Sequence, residues 1–100
     1  MAKFTLNSGT NKSNRRIWIE GSRLLSAGFS QGDRLSKRIT GNKLILQKTT
    51  DQSEAKHRIA GKPDRPILDL CGKWVTVFMD GKPSFTVTIK GDTITISPTE

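Results

Sequence analysis

Guanidinium groups are the main chemical resource of this sequence. Arg15, Arg16, Arg23, Arg34 and Arg38, with Lys37 and Lys43, all fall in the first half of the chain. A planar guanidinium can give two parallel hydrogen bonds to a phosphate or a guanine edge, and an ammonium adds a point charge. These residues form the candidate nucleic-acid-binding set. Lys3, Lys48 and Lys73 are assigned to solvated surface, and Trp18 to the core. Other chemistries have little to work with. The only histidine, His57, lies in a polar stretch with no nucleophile beside it. The only cysteine, Cys71, cannot form an internal disulfide and reads as a small buried hydrophobe. Asp64 and Asp69 lack the company a metal site needs. There is no catalytic constellation and no glycine-rich phosphate loop. The expectation is a non-enzymatic protein without metal or cofactor.

Charge supports that emphasis. The 100 residues carry 17 Lys and Arg against 9 Asp and Glu, a formal net charge of +8. Residues 1–50 hold ten of the basic and two of the acidic side chains, so the entire excess falls there. A one-sided basic field attracts polyanions and releases their condensed counterions. The lone cysteine favours a reducing compartment, and no apolar run matches a membrane span or a signal core. A cytoplasmic protein that does not enter membranes is expected.

The elements that must position these arginines are mostly strands. Residues 16–21 read as a strand ending at Gly21, and Leu24, Leu25 and Phe29 suggest one or two helical turns. Leu35, Lys37 and Ile39 then share one strand face, with Arg34, Ser36, Arg38 and Thr40 on the other. Gly41-Asn42 is a two-residue hairpin signal, because glycine accepts the positive φ of a type II′ turn. Lys43–Gln47 returns as the second strand. The same pattern recurs 50 residues later without a gap: Ile67 for Ile17, Leu68 for Trp18, Phe85 for Leu35, Val87 for Lys37, and Gly91-Asp92 for Gly41-Asn42. The second hairpin alternates Thr or Ser with apolar residues, so its outer face is neutral where the first is basic. Trp74–Met79 suits either a helix or a strand.

The expected organisation is a single domain over residues 1–100. It comprises a basic polar arm (1–15), a first hairpin unit (16–48), a polar linker (49–65) and a second hairpin unit (66–98). The arm lacks apolar residues over 7–16 and reads as flexible. Lys56–Ile59 in the linker could form a short edge strand.

Leu24–Leu35, with Ala27-Gly28-Phe29 and Gly32-Asp33, followed by Ile39–Leu46 around Gly41, resembles the AbrB/SpoVT and SymE-type swapped-hairpin proteins. The resemblance covers about residues 16–47, and more weakly 66–97. The stretch is also similar to N-terminal segments of phage cytosine methyltransferases. The resemblance implies a mainly β fold, a small barrel of two interleaved hairpin units with one or two short helical turns. It also implies DNA binding through Arg23, Arg34, Lys37 and Arg38. Two units in one chain imply a monomeric pseudo-dimer, with a homodimer as the other arrangement.

The leading functional expectation is a DNA-binding regulator of bacterial or phage origin, with DNA favoured over RNA. The alternative is a non-enzymatic phage accessory protein of anti-restriction or anti-CRISPR type. It would bind a host defence protein or nucleoprotein complex.

Overall fold

Apolar residues alternating with Thr, Ser and charged residues build strands along most of the chain. The computed structural model describes residues 2–11 and 13–99. In chain order the elements are β1 (Ala2–Asn7), β2 (Gly9–Asn11), β3 (Asn14–Glu20), α1 (Ser22–Leu25), β4 (Arg34–Thr40) and β5 (Lys43–Lys48). Then come β6 (His57–Arg58), β7 (Ala60–Lys62), β8 (Arg65–Cys71), α2 (Lys73–Met79), β9 (Ser84–Lys90) and β10 (Thr93–Thr99). They form two antiparallel sheets, one of six strands in the order β1-β9-β10-β5-β4-β6 and one of four in the order β2-β3-β8-β7. The fold is mainly β, as expected.

The expected barrel is not closed. The chain crosses between sheets at Ser8, from β1 to β2, and at Ile59, from β6 to β7. The hydrogen-bonded ladders stop at those corners, which leaves β1 and β6 as edges of one sheet and β2 and β7 as edges of the other. One core lies between the sheets. Ile17, Ile19, Leu68 and Leu70 enter it from the smaller sheet, and Leu44, Leu46, Phe85, Val87, Ile94 and Ile96 from the larger. Each such side chain contributes about 1.5–3 kcal/mol of transfer free energy when fully buried.

Both hairpins have the expected turn. Gly41 and Gly91 sit at φ 60° and 59°, while Asn42 and Asp92 remain at negative φ, as a type II′ turn requires. The turns close on Thr40 opposite Lys43 and on Lys90 opposite Thr93.

The arm and the linker differ from expectation. Residues 2–7 of the arm pair with Ser84–Ile89 of β9, and residues 9–11 pair with β3. Met1 and Lys12 lie outside the described residues. Residues 57–58 and 60–62 of the linker pair with β4 and β8. Strands β1 and β6 are ordered by β9 and β4, distant in sequence, which supply the backbone partners that a polar segment cannot find within itself, whereas β2 and β7 close short hairpins onto β3 and β8.

Residues 73–79 are helical. Val75 and Met79 form a buried i, i+4 stripe, and Trp74 and Phe78 form a half-buried one beside it. That burial outweighs the β preference of two valines and a threonine. Asp80, at φ 50°, closes the helix in the left-handed region.

A uniform spacing of 50 residues fails at β3 and β8. Ile17 and Ile19 are buried, and so are Leu68 and Leu70, 51 residues later. Trp18 faces outward from the small sheet and is not a core residue; its 50-residue counterpart Leu68 points into the core. Side chains alternate with period two, so a one-residue slip exchanges the faces. Gly21 and Gly72, each directly before a helix, also stand 51 apart. The spacing returns to 50 at Phe29 and Met79, because α2 continues where α1 has stopped. Each strand order is nevertheless unchanged, read backwards, when β1–β5 are exchanged for β6–β10.

Gly61 carries the tightest backbone approach, at φ +88° in β7. A Cβ there would meet the Arg65 carbonyl oxygen and the Ile67 amide. Gly61→Ala should therefore cost about 2 kcal/mol or more, from positive φ and backbone overlap together. Urea denaturation checks this; a loss well under about 1 kcal/mol would show that the β7–β8 turn relaxes freely.

Candidate nucleic-acid interface

On the six-stranded sheet, alternation sends Leu35, Leu44, Leu46, Phe85, Val87, Ile89, Ile94 and Ile96 inward. Their neighbours form the outer face. Across it runs a row made of Lys3, Thr88, Thr95, Ile45 and Arg38, each opposite the next. The middle of the face consists largely of hydroxyl side chains, and Thr5 and Thr86 share a 3.2 Å hydrogen bond there. The flanks are cationic. Arg34, Arg38, Lys43 and Arg58 stand on the β4, β5 and β6 side, and Lys3 and Lys90 stand near the opposite edge. All are exposed. Among the described residues, no strand position on this face holds a carboxylate. Arg34 lies directly opposite Arg58. Two like charges in register repel each other, so this pairing is a local cost to the fold.

The outer face of the four-stranded sheet is different. Arg16 donates two 2.8 Å hydrogen bonds to Asp69, and its guanidinium lies 4.3 Å from the centre of the Trp18 ring. Arg65 donates to Glu20 at 2.9 Å. The Trp18 indole and then Arg65 hold Glu20 below the usual carboxylate range. Arg16 and Arg65 are thus each matched to a carboxylate on this face, and exposed Lys62 stands opposite Arg65.

The expected binding residues thus divide among several places. Arg34, Arg38 and Lys43 come together on the large sheet. Arg16 is committed to Asp69 on the other face of the molecule. The Arg15 amide donates to the Thr76 hydroxyl at 2.8 Å, and its guanidinium donates to Ser8 at 3.2 Å. Arg23 lies with its guanidinium 4.3 Å from the centre of the Phe4 ring, beside α1. Lys37 points inward, with Nζ 4.0 Å from the centre of the Trp74 ring. Arg58, Lys90 and Lys3 join the cationic face although the sequence reading did not include them. The strand signal at residues 56–59 carried the hint for Arg58, since Ile59 turned inward places Arg58 outward.

His57 also stacks on Trp74, its ring 5.5 Å from the indole. Its Nε2 is buried without a hydrogen-bond partner. Burial, and secondarily the Lys37 charge, lower its pKa from 6.5. Protonation therefore costs the folded chain more than the unfolded chain. Stability should be full above about pH 6.5 and fall as the pH drops towards the lowered folded value. His57 is the only histidine, so thermal midpoints between about pH 7.5 and 5.5 should report it. His57→Leu should flatten that profile; an unchanged slope would contradict the assignment.

Among the described residues, no helix is long and apolar enough to cross a membrane. Comparison with protein families, with curated proteins and with solved structures gave no match.

Proposed function

We propose that this chain is a nucleic-acid-binding protein that contacts the phosphate backbone with the outer face of its six-stranded sheet. The observation that carries the proposal is the cluster of Arg34, Arg38, Lys43 and Arg58 on a face whose strand positions hold no carboxylate among the described residues. Such a face neutralises phosphates and releases counterions, and its threonine hydroxyls add neutral hydrogen-bond donors. DNA is favoured over RNA through the resemblance to AbrB-type proteins. A regulator of bacterial or phage origin fits that resemblance.

The two halves are read as interleaved copies of one unit within a monomeric pseudo-dimer. Strand orders that survive exchange of the halves support this, as do hairpins closing on pairs 50 residues apart. The copies are not equivalent as surfaces. Arg34 and Arg38 correspond to Ser84 and Thr88, so contact is one-sided.

The test is fluorescence anisotropy of a labelled DNA duplex against salt concentration. Binding should weaken with a slope of about −3 to −4 in log K against log salt, for roughly four phosphate contacts. Absence of binding at salt on the order of 20 mM would overturn the proposal.

A further inference from the structure

The two long hairpins are finished differently at their edges. Strand β1 covers six of the seven residues of β9, from Ala2 opposite Ile89 to Asn7 opposite Ser84. Its counterpart β6 covers only Arg34 and Leu35 of β4. The Leu35 carbonyl on that side accepts the Lys56 amide at 2.8 Å. Backbone groups alternate sides along an antiparallel strand, so Lys37 and Ile39 also direct N–H and C=O toward this edge. Among the described residues no strand pairs with them there.

The side chains repeat the asymmetry. Ile89 is 2% exposed beneath β1, whereas Ile39 is 47% exposed. Ile39 lines an apolar groove of about 620 Å³ with Trp74, Val77, Phe78 and Pro98. Val77, at 69% exposed, is its rim on α2.

We propose that the open edge of β4 is a docking site for an extended acidic segment of a partner protein, which adds a strand as β1 does on β9. Added strands gain affinity from main-chain hydrogen bonds and specificity from alternate side chains. The chain itself supplies the template. In β1, Ala2 and Phe4 turn inward opposite Ile89 and Val87, while Lys3 and Thr5 turn outward. A strand docked on β4 in this register places apolar side chains opposite Ile39 and Lys37, within reach of the groove. Its outward side chains fall opposite Arg38 and Thr40, the latter paired with Lys43, since Lys56 already occupies the edge beside Leu35 and Ser36. Carboxylates suit those positions. The β1 strand of a second copy would instead bring Lys3 against Arg38, so charge selects an acidic partner over self-association. The site shares cationic side chains of the phosphate-binding face, Arg38 among them, and differs from it in its use of the backbone edge and the groove.

The experiment uses the full chain and a capped pentapeptide that alternates glutamate with leucine and phenylalanine. Amide hydrogen exchange at Lys37 and Ile39 should slow at least roughly tenfold at saturating peptide, as these groups become paired. A lysine version of the peptide should bind roughly tenfold more weakly, from two or three lost surface charge pairs. Ile39→Glu should abolish binding of the acidic peptide; its side chain is exposed, and circular dichroism checks that the fold persists. Unchanged exchange at Lys37 and Ile39 would overturn the proposal. So would equal binding of the lysine peptide, or tighter binding of a peptide spanning residues 2–7, which would make a second copy the occupant.

Discussion

Replacing Arg34, Arg38, Lys43 and Arg58 with alanine together should lower affinity for a DNA duplex by roughly two to three orders of magnitude near 0.1 M salt. Each exposed cation on a phosphate is worth on the order of 1 kcal/mol and about one unit of salt slope. The slope should therefore flatten by about 3 to 4 units. The fold should tolerate the change. These side chains are exposed, and Arg34 faces Arg58 in register. Removing one of two like charges relieves repulsion, so Arg58→Ala alone should leave the protein as stable as before, or slightly more so, while weakening binding. That opposite movement of stability and affinity separates a binding role from a structural one. Arg16→Ala is the control. Its guanidinium is held by Asp69 on the other sheet, so affinity should change less than about threefold. If Arg16→Ala weakened binding as much as the quadruple variant, the interface would lie on the four-stranded sheet.

Much of this arrangement was legible in the sequence, and the parts that were not share a cause. The hairpins were readable because their information is local. Gly41-Asn42 and Gly91-Asp92 specify the turns, and alternation on either side specifies the faces. Strands β1 and β6 were not readable in the same way, since their order comes from partners far along the chain, and β2 and β7 are three-residue arms of short hairpins with β3 and β8 that carry no apolar alternation. Leu6 and Ile59 are the only strongly apolar hints near the two corners. The charge was legible in amount but not in grouping. Division at residue 50 put Arg15, Arg16 and Arg23 together with Arg34. Sheet topology separates them and brings in Arg58 and Lys90 from the second half. Arg16 shows the limit well: nothing in its own neighbourhood announces Asp69, which reaches it through the pairing of β3 with β8.

Leu68→Ala should be among the most damaging single changes, costing about 2–5 kcal/mol. Leu68 is fully buried on the inner face of β8, so its truncation leaves a cavity between two sheets that cannot easily collapse. In a domain of this size the thermal midpoint should fall by roughly 10 °C or more. Trp18→Ala is the informative comparison, because a strict 50-residue spacing makes these two residues equivalent. The pairing of β3 with β8 instead sets Trp18 opposite Asp69 and Leu68 opposite Ile19. Trp18 is half-buried on the outer face, beneath the Arg16 guanidinium. Its loss removes that contact and some covered area, about 1 kcal/mol in all, and opens no internal cavity. The larger side chain should therefore be the cheaper one to remove. Equal losses for the two variants, measured by urea denaturation, would restore the uniform spacing and place Trp18 back in the core. The expected inequality follows from the one-residue difference between the helix segments, since seven residues separate Gly21 from Phe29 and six separate Gly72 from Met79. The strands before those glycines therefore match at 51 residues, which sets Trp18 level with Asp69 on the outer face and Ile17 level with Leu68 in the core.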